Sequence, residues 1–123
     1  MFRFMLAGAI IAALGGPALA QVQSAAPAGH VAEGETAFVS HGCYQCHGLG
    51  AAGGDSTGPA LAHTKLSYAA FVYQLRHPRA EMPPYEAAIV SDSMASDIYA
   101  YVQSRPVAKP AASNPLIMGM GVR

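Results

Sequence analysis

Cys43 and Cys46 are the only cysteines of the chain, and His47 follows the second directly, in the run HGCYQCHGLG from His41 to Gly50. Two thiols and an imidazole in that order suit three chemistries. A redox dithiol needs the strand-turn-helix setting of a thioredoxin-like fold, whereas the residues before Cys43 read as helix. A zinc site would hold at most three ligands here and take its fourth from a distant histidine such as His63 or His77. The third chemistry is covalent attachment of haem, for which C-x-x-C-H is the signature. The thiols would add to two vinyl groups on one edge of the porphyrin, and His47 would offer an axial nitrogen to the iron.

The rest of the chain favours the third reading. Met1-Phe2-Arg3 is a short basic start, Phe4 to Leu14 is an apolar run, and Gly15 to Ala20 ends in an A-x-A cleavage pattern, together the marks of a signal peptide over residues 1–20. The apolar run is shorter than the roughly 20 residues of a membrane-spanning helix, which disfavours a retained membrane anchor. Removing residues 1–20 from the 123 leaves 103, enough for one small domain. It also leaves six Lys and Arg against seven Asp and Glu, so no basic field attracts nucleic acid. So small an exported core usually needs a staple, and a disulfide across the four residues Cys43 to Cys46 would constrain the unfolded chain little. A flat apolar macrocycle would complete the core instead, and the chain is expected to fold poorly without it.

The segments that must position these residues read as helices joined by loops. Residues 21–29 are an Ala, Ser, Gln and Pro leader without periodicity. Val31 to Val39 suits a short helix with Glu33 and Glu35 in its first turn, ended by Gly42. Gly48 to Ala62 is a glycine-rich loop, long enough to be either functional or disordered. Ser67 caps a helix that places Tyr68, Phe71, Val72 and Leu75 on one face and stops at His77, before Pro78. Met82 lies in the stiff, extended RAEMPPY segment. A last helix opens near Ser91-Asp92 and lines up Met94, Ala95, Ile98, Tyr101 and Val102 before Pro106. Residues 30–105 thus form the domain, residues 106–123 a Pro- and Gly-containing tail, and the fold class is all-α with long loops.

At this point the chain resembles the class I c-type cytochromes, the small one-haem family. The resemblance rests on CYQCH and on GETAFVSHG before it, TGPAL at Thr57 to Leu61, MPPY at Met82 to Tyr85, and DIYAYVQS at Asp97 to Ser104, all in family order. It implies a small cytochrome c fold wrapped around one haem c, bound covalently through Cys43 and Cys46. It also implies His47 and Met82 as the two iron ligands, a soft thioether that raises the potential being held by Pro83 and Pro84. The Pro59 carbonyl would accept the other ring N–H of His47, and Leu61, Phe71 and Leu75 would pack on the macrocycle. Gly34 and Phe38 would meet Tyr101 across a helix contact, although one extra residue between Phe38 and Cys43 departs from the mitochondrial form. Met94 reads as core. Lys65, Arg76, Arg79 and Tyr85 are open to two readings, as contacts to haem propionates or as solvated surface.

With both axial positions filled, oxygen or substrate has no place at the metal, and no nucleophile-base pair or paired carboxylates stand out. The expected function is a periplasmic one-electron carrier rather than an enzyme. Its partners would be redox proteins, such as a periplasmic dehydrogenase or oxidase or a membrane respiratory complex. Two alternatives are a cytochrome subunit of a periplasmic oxidoreductase, with Leu116, Ile117, Met118 and Met120 of the tail on its partner, and a haem sensor from which Met82 dissociates.

Overall fold

The structure is a computed structural model that describes residues 26–54, 57–109 and 113. Residues 1–20, read above as a signal peptide, and most of the expected leader and tail lie outside the described residues, Leu116, Ile117, Met118 and Met120 among them. Four helices follow one another among the described residues, α1 (Val31–Ser40), α2 (Tyr44–His47), α3 (Tyr68–Arg76) and α4 (Asp92–Ser104). Among the described residues there is no strand, only an isolated bridge between Gly54 and Gly58, and no helix is long and apolar enough to cross a membrane.

Local sequence explains where the helices start and stop. The Ser67 and Ser91 hydroxyls accept from the N–H groups of Ala70 and Met94, capping α3 and α4. α1 ends where the Gly42 N–H donates to Val39 O and the Cys43 N–H reaches back to Phe38 O. Gly42 has a φ of 74°, so this is a Schellman stop that only glycine adopts cheaply. This turn delivers the chain directly into α2.

The long helices α1 and α4 cross with their backbones close together. A Cβ at Gly34 would run into the carbonyl of Asp97 and come within 2.9 Å of the Tyr101 Cβ. That approach lets Phe38 and Tyr101 meet with their rings tilted by 49°, centroids 5.3 Å apart, and both are buried with Ile98, Val102 and Ala95. The His30 N–H also donates to Asp97 Oδ1 at 2.7 Å, and Ser96 Oγ donates to Pro27 O at 3.1 Å, so residues 27–30 lie along α4. α3 adds Phe71 and Leu75 to the core, with Phe71 edge-on to Tyr99 at 5.2 Å.

The apolar stripe expected on α4 is one residue narrower than its sequence suggests. Ala95, Ile98, Tyr101 and Val102 are buried, but Met94 is 39% exposed and lines a shallow groove with Thr36, Ser40 and His41 of the α1 side. Close contact of α1 with α4 at Gly34 leaves no depth for a long side chain one turn earlier.

Gly34→Ala tests that contact. The added methyl has a backbone carbonyl in its way, so α1 must shift as a body. We expect a loss of about 1–3 kcal/mol, the usual range for overpacking, read as a lower urea midpoint with an unchanged slope.

Candidate functional site

One helical turn carries the three residues of the motif. The His47 N–H donates to Cys43 O at 3.0 Å, so Cys43, Cys46 and His47 stand at positions i, i+3 and i+4 and share a face. Both thiols are free. Cys43 is half-buried and packed against the core, whereas Cys46 is exposed and His47 is buried. Burial pushes the Cys43 thiol above its ordinary range, more than its backbone hydrogen bond draws it back.

The glycine-rich segment after the motif folds back over it. The Gly53 N–H donates to His47 O at 2.8 Å, and Thr57 Oγ1 donates to Cys46 O at 2.8 Å. At Gly53, φ is 79° and a Cβ would lie 2.6 Å from the Ala60 nitrogen, so the return requires a glycine. By this path Pro59 O arrives 2.7 Å from His47 Nδ1. A proline carbonyl can only accept, so Nδ1 carries the hydrogen and donates it. In the neutral ring Nε2 then keeps its lone pair.

α4 holds the same loop from its other side. Tyr101 Oη donates to Leu49 O at 2.7 Å, two residues past His47. The His63 N–H donates to Val102 O at 3.0 Å, Gln103 Nε2 to Thr64 O at 2.9 Å, and Tyr99 Oη to Leu66 O at 2.8 Å. Leu61 is half-buried against the core, while Phe71 and Leu75 are fully part of it.

Met82 is half-buried and packs against the core from the segment between α3 and α4. Gln74 Nε2 lies 3.9 Å from its sulfur, a weak donor contact to a thioether. Tyr85 fastens the segment: its N–H donates to Leu75 O at 2.9 Å and its Oη donates to His41 O at 3.1 Å. The ring nitrogens of His41 in turn face Ala37 O at 2.9 Å and Ile89 O at 3.2 Å. Arg76 donates to Tyr85 O at 2.6 Å and to Asp92 Oδ1 at 2.7 Å. Neither Gln74 nor Arg76 carries a motif that would reveal these roles in the sequence.

The donors suit haem c and not a metal ion held by side chains alone. Two thiols on one turn suit thioether attachment to a macrocycle, and the buried imidazole with its tautomer set and the half-buried thioether of Met82 are each donors of a kind that haem iron accepts. No cluster of three or more His, Cys, Asp or Glu residues able to hold a metal occurs among the described residues.

A family model described as cytochrome C oxidase, cbb3-type, subunit III matches residues 29–102. No curated protein and no solved structure matches the chain.

Tyr101 provides a test of the link between α4 and the motif loop. Burial raises its phenol above the ordinary range, outweighing the nearby Arg105 charge that lowers it. The folded state therefore favours the neutral phenol, and its contribution is complete below the unfolded value of about 10 and is lost as pH rises above it. Tyr101→Phe should cost about 1 kcal/mol at neutral pH through the lost bond to Leu49 O. It should also decline less steeply in alkali, which urea midpoints measured across that range would show.

Proposed function

Because the chain belongs to the family of c-type cytochrome domains described as cytochrome c oxidase, cbb3-type, subunit III, we propose that it is a periplasmic one-electron carrier. In this reading Cys43 and Cys46 hold one haem c, and His47 and Met82 ligate its iron. The observation that carries the reading is the 2.7 Å bond from His47 Nδ1 to Pro59 O. A buried histidine fixed in that tautomer is prepared to give Nε2 to a metal, and a carbonyl partner makes the imidazole a stronger donor.

Haem, when bound, supplies an iron that gains and loses a single electron. The chain's part is to keep that exchange cheap. Two thioether links prevent loss of the cofactor outside the cytoplasm, and ligands from two separate segments, α2 and the Met82 loop, limit the change of geometry between oxidation states. The thioether of Met82 favours the reduced iron. Were His47 and Met82 both to hold the iron, no position would remain there for substrate, and in this reading the isolated chain would transfer electrons rather than catalyse a reaction.

Partners meet a nearly uncharged surface. Between Glu35 and Lys65 the only formal charge is Asp55, while Val39, Leu49 and Cys46 in that stretch are exposed. Docking there would depend weakly on ionic strength and rely on apolar contact. The family's description favours one second reading, in which the domain serves as the electron-transfer subunit of a respiratory oxidase complex.

Protein isolated from a periplasmic fraction should have the mass of one haem plus the chain from Gln21. It should titrate as a single one-electron couple and bind no carbon monoxide when reduced at neutral pH, whereas Met82→Ala should bind it. Carbon monoxide binding by the unaltered protein would contradict the two-ligand carrier.

A further inference from the structure

Three residues beyond Met82, Tyr85 is held through its N–H, its phenol and its carbonyl. The carbonyl accepts from Arg76 Nη1 at 2.6 Å, and the same guanidinium places Nη2 2.7 Å from Asp92 Oδ1, at the first residue of α4. The Arg76 side chain is only 16% exposed although Asp92 is 80% exposed. A long side chain with so little exposure, both ends of its fork in use, is not a solvated surface charge. It joins the last turn of α3, the loop that carries Met82 and the start of α4.

Pro83 and Pro84 make that junction matter to the sulfur. Each has φ fixed near −65°, so few free dihedrals separate the held Tyr85 from Met82. Whatever fixes the Tyr85 backbone therefore fixes where the thioether can lie. Among the described residues, the hydrogen bond made to the sulfur itself is the 3.9 Å approach of Gln74, too weak to place it. Control of the sulfur must come through the chain.

We propose that Arg76 is the positioning residue for the Met82 thioether, acting as a clasp that bridges Tyr85 O and Asp92 and keeps the loop closed on the iron. This rests on the reading of Met82 as the second axial ligand. The clasp works by setting how often the loop opens, because an external ligand reaches the iron only in the open form and its apparent affinity scales with that open fraction. Hydrogen bonds from a charged donor are among the stronger ones, so their loss should raise the open fraction about tenfold or more.

The test uses the haem-loaded full chain in its oxidised form, with imidazole as the external ligand and the weak far-red sulfur-to-iron band as the report on Met82. In Arg76→Gln, imidazole should bind about tenfold more tightly, and the far-red band should disappear on heating well before global unfolding. Arg76→Lys should not restore the parent behaviour, since one ammonium lacks the fork that spans both acceptors. Asp92→Ala, which leaves the bond to Tyr85 O, should shift imidazole binding in the same direction by a smaller factor. It decides the question if Arg76→Gln does not take up haem. Imidazole binding equal to the parent's, or band loss that only follows global unfolding, would overturn the clasp. A parent protein without the far-red band would instead contradict Met82 ligation, and the clasp with it.

Discussion

A histidine can present one ring nitrogen reliably only when the other is held, and in this protein the hold is the carbonyl of Pro59, 2.7 Å from His47 Nδ1. Much of the architecture follows from bringing these two groups together. They lie twelve residues apart on a turn and a loop, and the loop must reverse without a strand to guide it. Gly53 makes the reversal possible by its positive φ, and the Cys46 and His47 carbonyls accept from Thr57 and Gly53 as the loop returns. α4 supplies the fixed wall, through Tyr99, Tyr101, Val102 and Gln103. That wall can stand close to the motif because Gly34 admits the α4 backbone.

In the proposed site the second iron ligand, Met82, would be held on a different principle. Met82 comes from a segment with two prolines, so the chain there has little entropy to lose on ordering. Stiffness alone does not aim a side chain, and the aiming falls to the anchors of Tyr85. A site assembled from a rigid turn on one side and a tethered loop on the other suits a cofactor that must change charge without moving its surroundings. The core beneath it is small, dominated by Phe38, Tyr101, Ile98, Val90 and Val102. A covalently linked haem would add apolar area that 103 residues do not otherwise provide.

The all-α cytochrome c fold was legible because its helices carry strong local signals. Ser67 and Ser91 cap where serine should, Pro78 and Pro106 follow the ends of α3 and α4, and Gly34, Phe38 and Tyr101 have the small and aromatic pattern of a close helix crossing. The turn from α1 into Cys43 was less clear, because the phase at which a helix hands over to the next turn depends on its stop, and the Schellman geometry at Gly42 is what sets it here. Contacts made by long polar side chains were not legible at all. Arg76 and Gln74 look like ordinary helix surface in the sequence, and what they touch depends on how the Met82 loop returns. Met94 misleads for the reverse reason: it sits on the apolar period of α4, but helix crossing depth, which periodicity does not encode, leaves it at the edge.

The central claim is that His47 and Met82 reach the iron from opposite sides of one haem. The most direct measurement is the proton NMR spectrum of the reduced, diamagnetic protein, recorded with Met82→Ala for assignment. Ligation by His47 and Met82 would give one three-proton methionine methyl signal moved far upfield by the macrocycle's ring current and absent from the variant, together with a slowly exchanging His47 Nδ1 proton. A spectrum with haem attached but no upfield methyl signal would contradict it.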